Sequence, residues 1–130
     1  MSWQAGFCVT YEGVKLRCAF AYRSGLWWAL DDLCTLFRIP VSTTLILLEL
    51  DPSDKADLHP YQTQVVNSAA LHPWVDTDEL DRFHTWIRGW LFPLLGQAFT
   101  SGTRNAAEAM AILHQKGVVA WPVADDDERS

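Results

Sequence analysis

Between Phe7 and Arg23, large apolar side chains recur at every second position. Phe7, Val9 and Tyr11 alternate with Cys8 and Thr10; after Glu12-Gly13, Val14, Leu16, Cys18, Phe20 and Tyr22 alternate with Lys15, Arg17, Ala19, Ala21 and Arg23. A period of two marks half-buried strands. A two-residue turn at Glu12-Gly13 predicts a hairpin pairing Tyr11 with Val14, Val9 with Leu16 and Phe7 with Cys18. In that register the bulky side chains share one face and Lys15, Arg17 and Arg23 share the other. Cys8 and Cys18 then point to opposite faces, which argues against a disulfide between them. Ser24-Gly25 predicts the next turn, with a short apolar segment from Leu26 to Leu30 after it.

Further along, the period lengthens to that of helices. Asp31 or Asp32 is expected to cap a helix running to about Phe37, with Leu33, Leu36 and Phe37 inward. Pro40 stops it and suits the first turn of a second helix over roughly 41–49. Asp51-Pro52-Ser53-Asp54 reads as a loop, 61–66 as a strand and 67–71 as a short helix ending before Pro73. The strongest helical pattern covers 77–92. Asp76 and Glu79 suit a capping box, and Leu80, Phe83, His84, Ile87 and Leu91 form an inward stripe. Trp86 and Trp90 lie on one shoulder of that stripe beside Arg82, Arg88 lies on the other, and Pro93 ends or kinks the helix. After a linker at 100–102, a small-residue helix is expected over 103–116, with Ala106, Ala109, Met110 and Leu113 on one side and Gly117 at its end. A last strand, 118–123, carries Pro122 and so belongs at an edge. It needs a neighbour, either this chain's own sheet or a second copy; a homodimer is the preferred reading. The fold class is α+β: an N-terminal β-hairpin in a small sheet packed against several helices.

Composition adds three constraints. The chain has 130 residues, 49% of them apolar and 20% charged, which suits one domain. Seven tryptophans are a surplus that fits a Trp-rich core or a binding surface. The net charge is −6, with Asp125-Asp126-Asp127-Glu128-Arg129 gathered at the end, and no basic block forms the footprint expected of a phosphate-gripping domain. Cys8, Cys18 and Cys34 form no C-x-x-C pair, as suits a reducing cytosol. The start of the chain has no secretory pattern, and Leu45-Ile46-Leu47-Leu48 is far too short to span a membrane. Host cytoplasm is the expected location, with no membrane partner.

Recognised catalytic patterns are missing. No Gly-rich phosphate loop, G-x-S-x-G or H-E-x-x-H occurs, and His59, His72, His84 and His114 are too dispersed for a local zinc site. His84 reads as a satisfied core histidine. Asp32 reads as a helix cap, and Cys34 has no histidine near it in sequence. The expectation is no enzyme, no catalytic residue, no cofactor and no metal.

The order of elements nevertheless carries a resemblance. A hairpin precedes Trp27-Trp28-Ala29-Leu30-Asp31-Asp32-Leu33, and Phe83-His84-Thr85-Trp86-Ile87 comes later, followed by Pro93. This resembles the Bro-N domain of viral and phage antirepressors, with Trp27, Trp28 and Asp32 matching its aromatic pair and aspartate, and Phe83, Trp86 and Pro93 its F-x-x-W helix. The resemblance covers about residues 7–96 and implies a Bro-N-like domain over 1–99; the elements read beyond it form a helix–strand extension over 100–124, and the acidic composition of 125–130 suits a disordered tail. It also implies gene control in a virus or prophage. Two binding modes follow. As a DNA-binding transcription regulator, the chain would use Lys15, Arg17, Arg23, Arg82 and Arg88. As an antirepressor-like regulator, or an inhibitor of a host defence complex, it would bind a protein through Trp86, Trp90 and Arg82. The acidic charge and the tryptophan surplus favour the protein partner.

Overall fold

The structure is a computed structural model that describes residues 3–21, 24–58, 62–99 and 106–121. The alternating segment forms β1 (Trp3–Tyr11) and β2 (Val14–Ala21), paired antiparallel in the expected register: Phe7 with Cys18, Val9 with Leu16, Tyr11 with Val14. Glu12 and Gly13 take φ of 49° and 80°, the pair of left-handed residues that matches a tight turn to the twist of its strands. β3 (Gly25–Ala29) pairs with β2, and β5 (Thr63–Val66) pairs with β3. β4 (Lys55–Leu58) pairs with β5, and β6 (Val119–Ala120) pairs with β1. The result is a six-stranded antiparallel sheet in the order β4-β5-β3-β2-β1-β6. β4 was not anticipated; its sequence, Lys-Ala-Asp-Leu, alternates too weakly to announce a strand.

Helices cover one face of this sheet. β3 runs straight into α1 (Leu30–Phe37), whose N-cap is Ala29, with no side-chain cap. Asp31 and Asp32 sit inside the first turn, so the expected aspartate cap is not formed. α2 (Thr43–Glu49) is capped by Ser42, whose Oγ accepts from the Leu45 N–H. Pro40 therefore lies ahead of the helix, not in its first turn. Short 3₁₀ turns occupy Pro52–Asp54 and Ser68–Leu71. α3 (Thr77–Trp86) begins at Asp76, whose carboxylate accepts from the Glu79 N–H. Pro93 does not end the helix. A π-turn over Ile87–Leu91 joins α3 to α4 (Phe92–Phe99), with the Phe92 N–H donating to the Ile87 carbonyl. Widening the helix there accommodates the N–H that proline lacks and the clash its ring would cause.

The main core lies between these helices and the sheet. Phe83 is fully buried, with its ring 5.0 Å from Trp28, 5.2 Å from Tyr11 and 5.6 Å from Phe37. Leu80, Ile87 and Leu91 are buried along the same stripe, as the helical spacing requires.

A smaller cluster occupies the opposite face of the sheet. An irregularity between Trp3 and Ala5 pairs Trp3 with Ala21 and Ala5 with Phe20, an extra β1 residue that transfers Trp3 to the far face. There Trp3 meets Trp27 edge to face, with centroids 6.2 Å apart, and both pack with Ala19, Ala21, Leu58 and Val65. Trp27 Nε1 donates to Ser24 Oγ. The small alanines leave room for the indoles, so part of the tryptophan surplus is core.

The C-terminal elements belong to the same body. α5 (Ala106–Gln115) contributes Ala109 and Leu113 to the main core, and Val118 follows them. The Val118 N–H donates to the Leu113 carbonyl and the Gly117 N–H to the His114 carbonyl, with Gly117 at φ 82°. This is a Schellman ending, and it turns the chain into β6. β6 finds its neighbour in β1 of its own sheet, which removes the unpaired strand that motivated a homodimer. The linker 100–102, residues 103–105, the end of the predicted last strand (Pro122 and Val123) and the acidic tail lie outside the described residues. Among the described residues, no helix is long and apolar enough to cross a membrane.

Candidate functional site

The helical period brings Arg82, Trp86 and Trp90 to one side of the α3–π segment. Trp86 stacks on Trp90 with centroids 5.3 Å apart and planes 17° apart. Its ring also lies 4.8 Å from Tyr11 and 6.0 Å from Phe83. The three surface rings Tyr11, Trp86 and Trp90 form a ladder backed by the buried Phe83. Trp86 is half-buried within it, while Trp90 is 38% exposed. Trp90 is therefore the available surface of the pair, and Trp86 is the support it rests on. The two tryptophans share one shoulder of the helix but differ in exposure, because Tyr11 at the hairpin end packs against Trp86.

Next to this ladder is a cleft of about 360 Å³, where the hairpin turn, the end of α1 and the first turns of α3 converge. Tyr11 belongs to both. Val14, Leu36 and Phe37 supply its apolar lining, and Glu12, Arg38, Glu79 and Arg82 its charges. All four charged residues are exposed, and none forms an ion pair within 4 Å among the described residues. Partial burial, the Glu12 charge and a hydrogen bond donated by the phenol to the Glu12 carboxylate raise the Tyr11 pKa above its ordinary value. Glu12 and Arg38 have φ of 49° and 54°. A left-handed conformation costs a residue with a Cβ roughly 1–2 kcal/mol, which glycine avoids.

The hairpin cations lie elsewhere. Lys15 is exposed on the far face of the hairpin, turned away from α3. Arg17 shares that face but is engaged. Its backbone N–H and Nε donate to Asp32 Oδ2 at 2.8 and 2.9 Å, and Nη2 donates to Oδ1 at 3.1 Å. The guanidinium also lies over the Trp121 ring, 5.5 Å from its centroid. Hydrogen bonding to Asp32 raises its pKa further. Asp32 thus satisfies the β2 edge where β3 leaves it, and this pairing replaces its expected role as a cap. Arg23 lies outside the described residues. Arg88 is exposed on the other shoulder of the helix; burial first, and the Arg88 charge second, lower the pKa of the His84 imidazole.

His84 forms a hydrogen-bonded pair with the buried Ser68, Nε2 to Oγ 2.9 Å. This is the satisfied core histidine expected of that stripe. Cys8, Cys18 and Cys34 are all free, and burial raises all three thiols above the ordinary value, which disfavours the thiolate. Among the described residues, no group of three or more His, Cys, Asp or Glu could hold a metal ion.

Of the seven candidates, the structure brings together Arg82, Trp86 and Trp90. Sequence reasoning missed Tyr11, Glu12, Arg38 and Glu79, which complete the cleft. The available signals were slight: a charged residue before the glycine of a two-residue turn, and an arginine at the end of a helix two residues before Pro40. No family model, curated protein or solved structure matches the chain.

Proposed function

We propose that this chain is a viral or prophage regulator of the antirepressor kind, resident in the host cytoplasm. It acts by binding a protein, a repressor or a component of a host defence complex, and not by catalysis. The observation that carries the reading is the exposed Trp90 held in stack with Trp86, which lies one helical turn from Arg82, a residue with no ion pair among the described residues. A rigid indole near an available guanidinium is the composition of an interface hot spot, because it desolvates a large area with little loss of side-chain freedom. The order of motifs that resembles Bro-N supplies the biological setting. Among the DNA-contact candidates, Lys15 and Arg82 lie on opposite sides of the hairpin, and Arg17 is committed to Asp32. That dispersal favours a protein over a phosphate backbone.

Trp90→Ala tests the proposal. The variant should lose only about 0.5–1 kcal/mol of stability, because the ring it removes is 38% exposed and stacks on Trp86 alone among the described rings. Affinity capture from host cells, followed by reconstitution with the purified candidate, should yield a partner that binds wild type and not Trp90→Ala. Equal binding by both proteins would refute the reading. A mobility shift with duplex DNA that is lost in Lys15→Ala and weakens steeply as salt rises would replace it with the DNA-binding alternative.

A further inference from the structure

We propose that the cleft between the hairpin turn and the end of α1 is a peptide-recognition site. It takes a short segment of a protein partner in which an apolar side chain is flanked by an acid and a base. The proposal rests on the protein-binding reading above and names the chemistry that the partner must present.

Three observations carry it. First, the cleft combines an apolar lining from Val14, Leu36 and Phe37 with two guanidinium and two carboxylate groups. None of the four is neutralised by an ion pair among the described residues. The lining is mainly polar, with a smaller apolar floor, which suits a charged peptide segment with one apolar anchor better than an apolar small molecule. Second, of the three described non-glycine residues with positive φ, two, Glu12 at a turn and Arg38 at a helix end, line this cleft, while Gln62 lies elsewhere. Asparagine or glycine would fill both positions with less strain. Side chains kept where the backbone disfavours them, on two separate segments facing one cleft, mark a surface whose side chains are used. Third, Tyr11 lines the cleft and also packs against Trp86 at a tilt, so the cleft and the Trp90 platform form one continuous surface.

Charge selects the occupant. Arg38 and Arg82 accept a carboxylate, while Glu12 and Glu79 on the same walls repel phosphate and accept an ammonium or guanidinium. A nucleic acid, which presents anions alone, meets equal numbers of attractive and repulsive groups. A peptide carrying both signs around an apolar anchor satisfies all four.

The test selects a phage-displayed random dodecapeptide library on the full chain. Enriched peptides are then measured by fluorescence polarisation against the wild type, Arg38→Gly, Arg82→Glu and Trp90→Ala. Enriched sequences should share an apolar residue with an acid and a base beside it. Arg38→Gly and Arg82→Glu should each weaken binding by about 10-fold or more, since a lost or reversed charge leaves its partner unpaired. Exchanging the peptide acid for lysine should restore binding to Arg82→Glu, a compensation that a merely destabilised variant does not give. Failure to enrich any peptide overturns the proposal, as does equal binding to both cleft variants, or binding of oligothymidylate that is lost in Arg38→Gly. Dependence on Arg38 and Arg82 without Trp90 would uphold the cleft and refute the Trp90 reading. Dependence on Trp90 alone would do the opposite.

Discussion

Arg38→Gly should make this protein more stable while removing a functional side chain. Arg38 ends α1 at φ 54°, with its backbone N–H donating to the Cys34 carbonyl. Its side chain is exposed and forms no ion pair among the described residues. The left-handed conformation costs roughly 1–2 kcal/mol for a residue with a Cβ. Glycine removes that cost but loses about 0.5–1 kcal/mol to its greater freedom in the unfolded chain. The net gain is about 0.5–1 kcal/mol, which for a domain of this size raises Tm by about 2–4 °C. Arg38→Ala is the control: it removes the same side chain and retains the strained backbone, so its stability should stay within about 0.5 kcal/mol of wild type. Urea titrations of the three proteins should show midpoints in the order glycine variant above wild type and alanine variant, with unchanged slopes. A glycine variant less stable than wild type would mean that the arginine side chain supports the fold, and the case for its functional retention would collapse.

Other substitutions test the framework. Phe83→Ala should cost about 3–5 kcal/mol in chemical denaturation, as for other buried aromatics. Asp32→Ala leaves the Arg17 N–H and guanidinium without their acceptor and should cost about 2 kcal/mol, a typical value for hydrogen bonds to a charged group; circular dichroism melts measure it. Trp86→Ala should cost about 1–2 kcal/mol, because its half-buried ring packs against three others, whereas Trp90→Ala, which removes one ring contact, should cost about 0.5–1 kcal/mol. His84 has a pKa below its ordinary 6.5, through burial first and Arg88 second. The unfolded chain therefore takes up the extra proton more readily, so the stability contribution is present above pH 6.5 and is lost as pH falls through that value towards the folded pKa. Urea midpoints measured from neutral to mildly acidic pH should fall, and His84→Gln should flatten that slope.

Local periodicity made the framework legible. Alternation from Phe7 to Phe20 specifies the β1–β2 register because a slip of one residue would turn every large side chain to the wrong face. Helical spacing from Leu80 to Leu91 marks the buried stripe for the same reason. What escaped was non-local. β4 is four residues long, and its identity comes from pairing with β5, not from its own pattern. Asp32 looks like a cap in its local sequence, but its partner Arg17 lies fifteen residues earlier, at a strand edge that exists only once β3 has turned into α1. The cleft was least legible: its lining comes from the hairpin turn, the end of α1 and the start of α3, so no window along the chain contains it.

The contrast between Trp86 and Trp90 shows how the fold turns a core-forming pattern into a surface. Four residues apart on an amphipathic helix, both should follow the buried stripe in the same way. The π-turn begins at Ile87, between them, and Tyr11 lies against Trp86 at the hairpin end. The hairpin therefore covers one indole and leaves its neighbour open, while their stacking keeps the exposed ring from rotating freely. A lone exposed tryptophan would be a solvation liability, and a buried one would be unavailable. Supported from behind through Trp86 and Phe83, Trp90 is both exposed and ordered, so binding a partner to it costs little side-chain entropy. The same hairpin end that orders this platform also supplies Glu12 to the adjoining cleft, which couples the geometry of the two halves of the surface through a single turn.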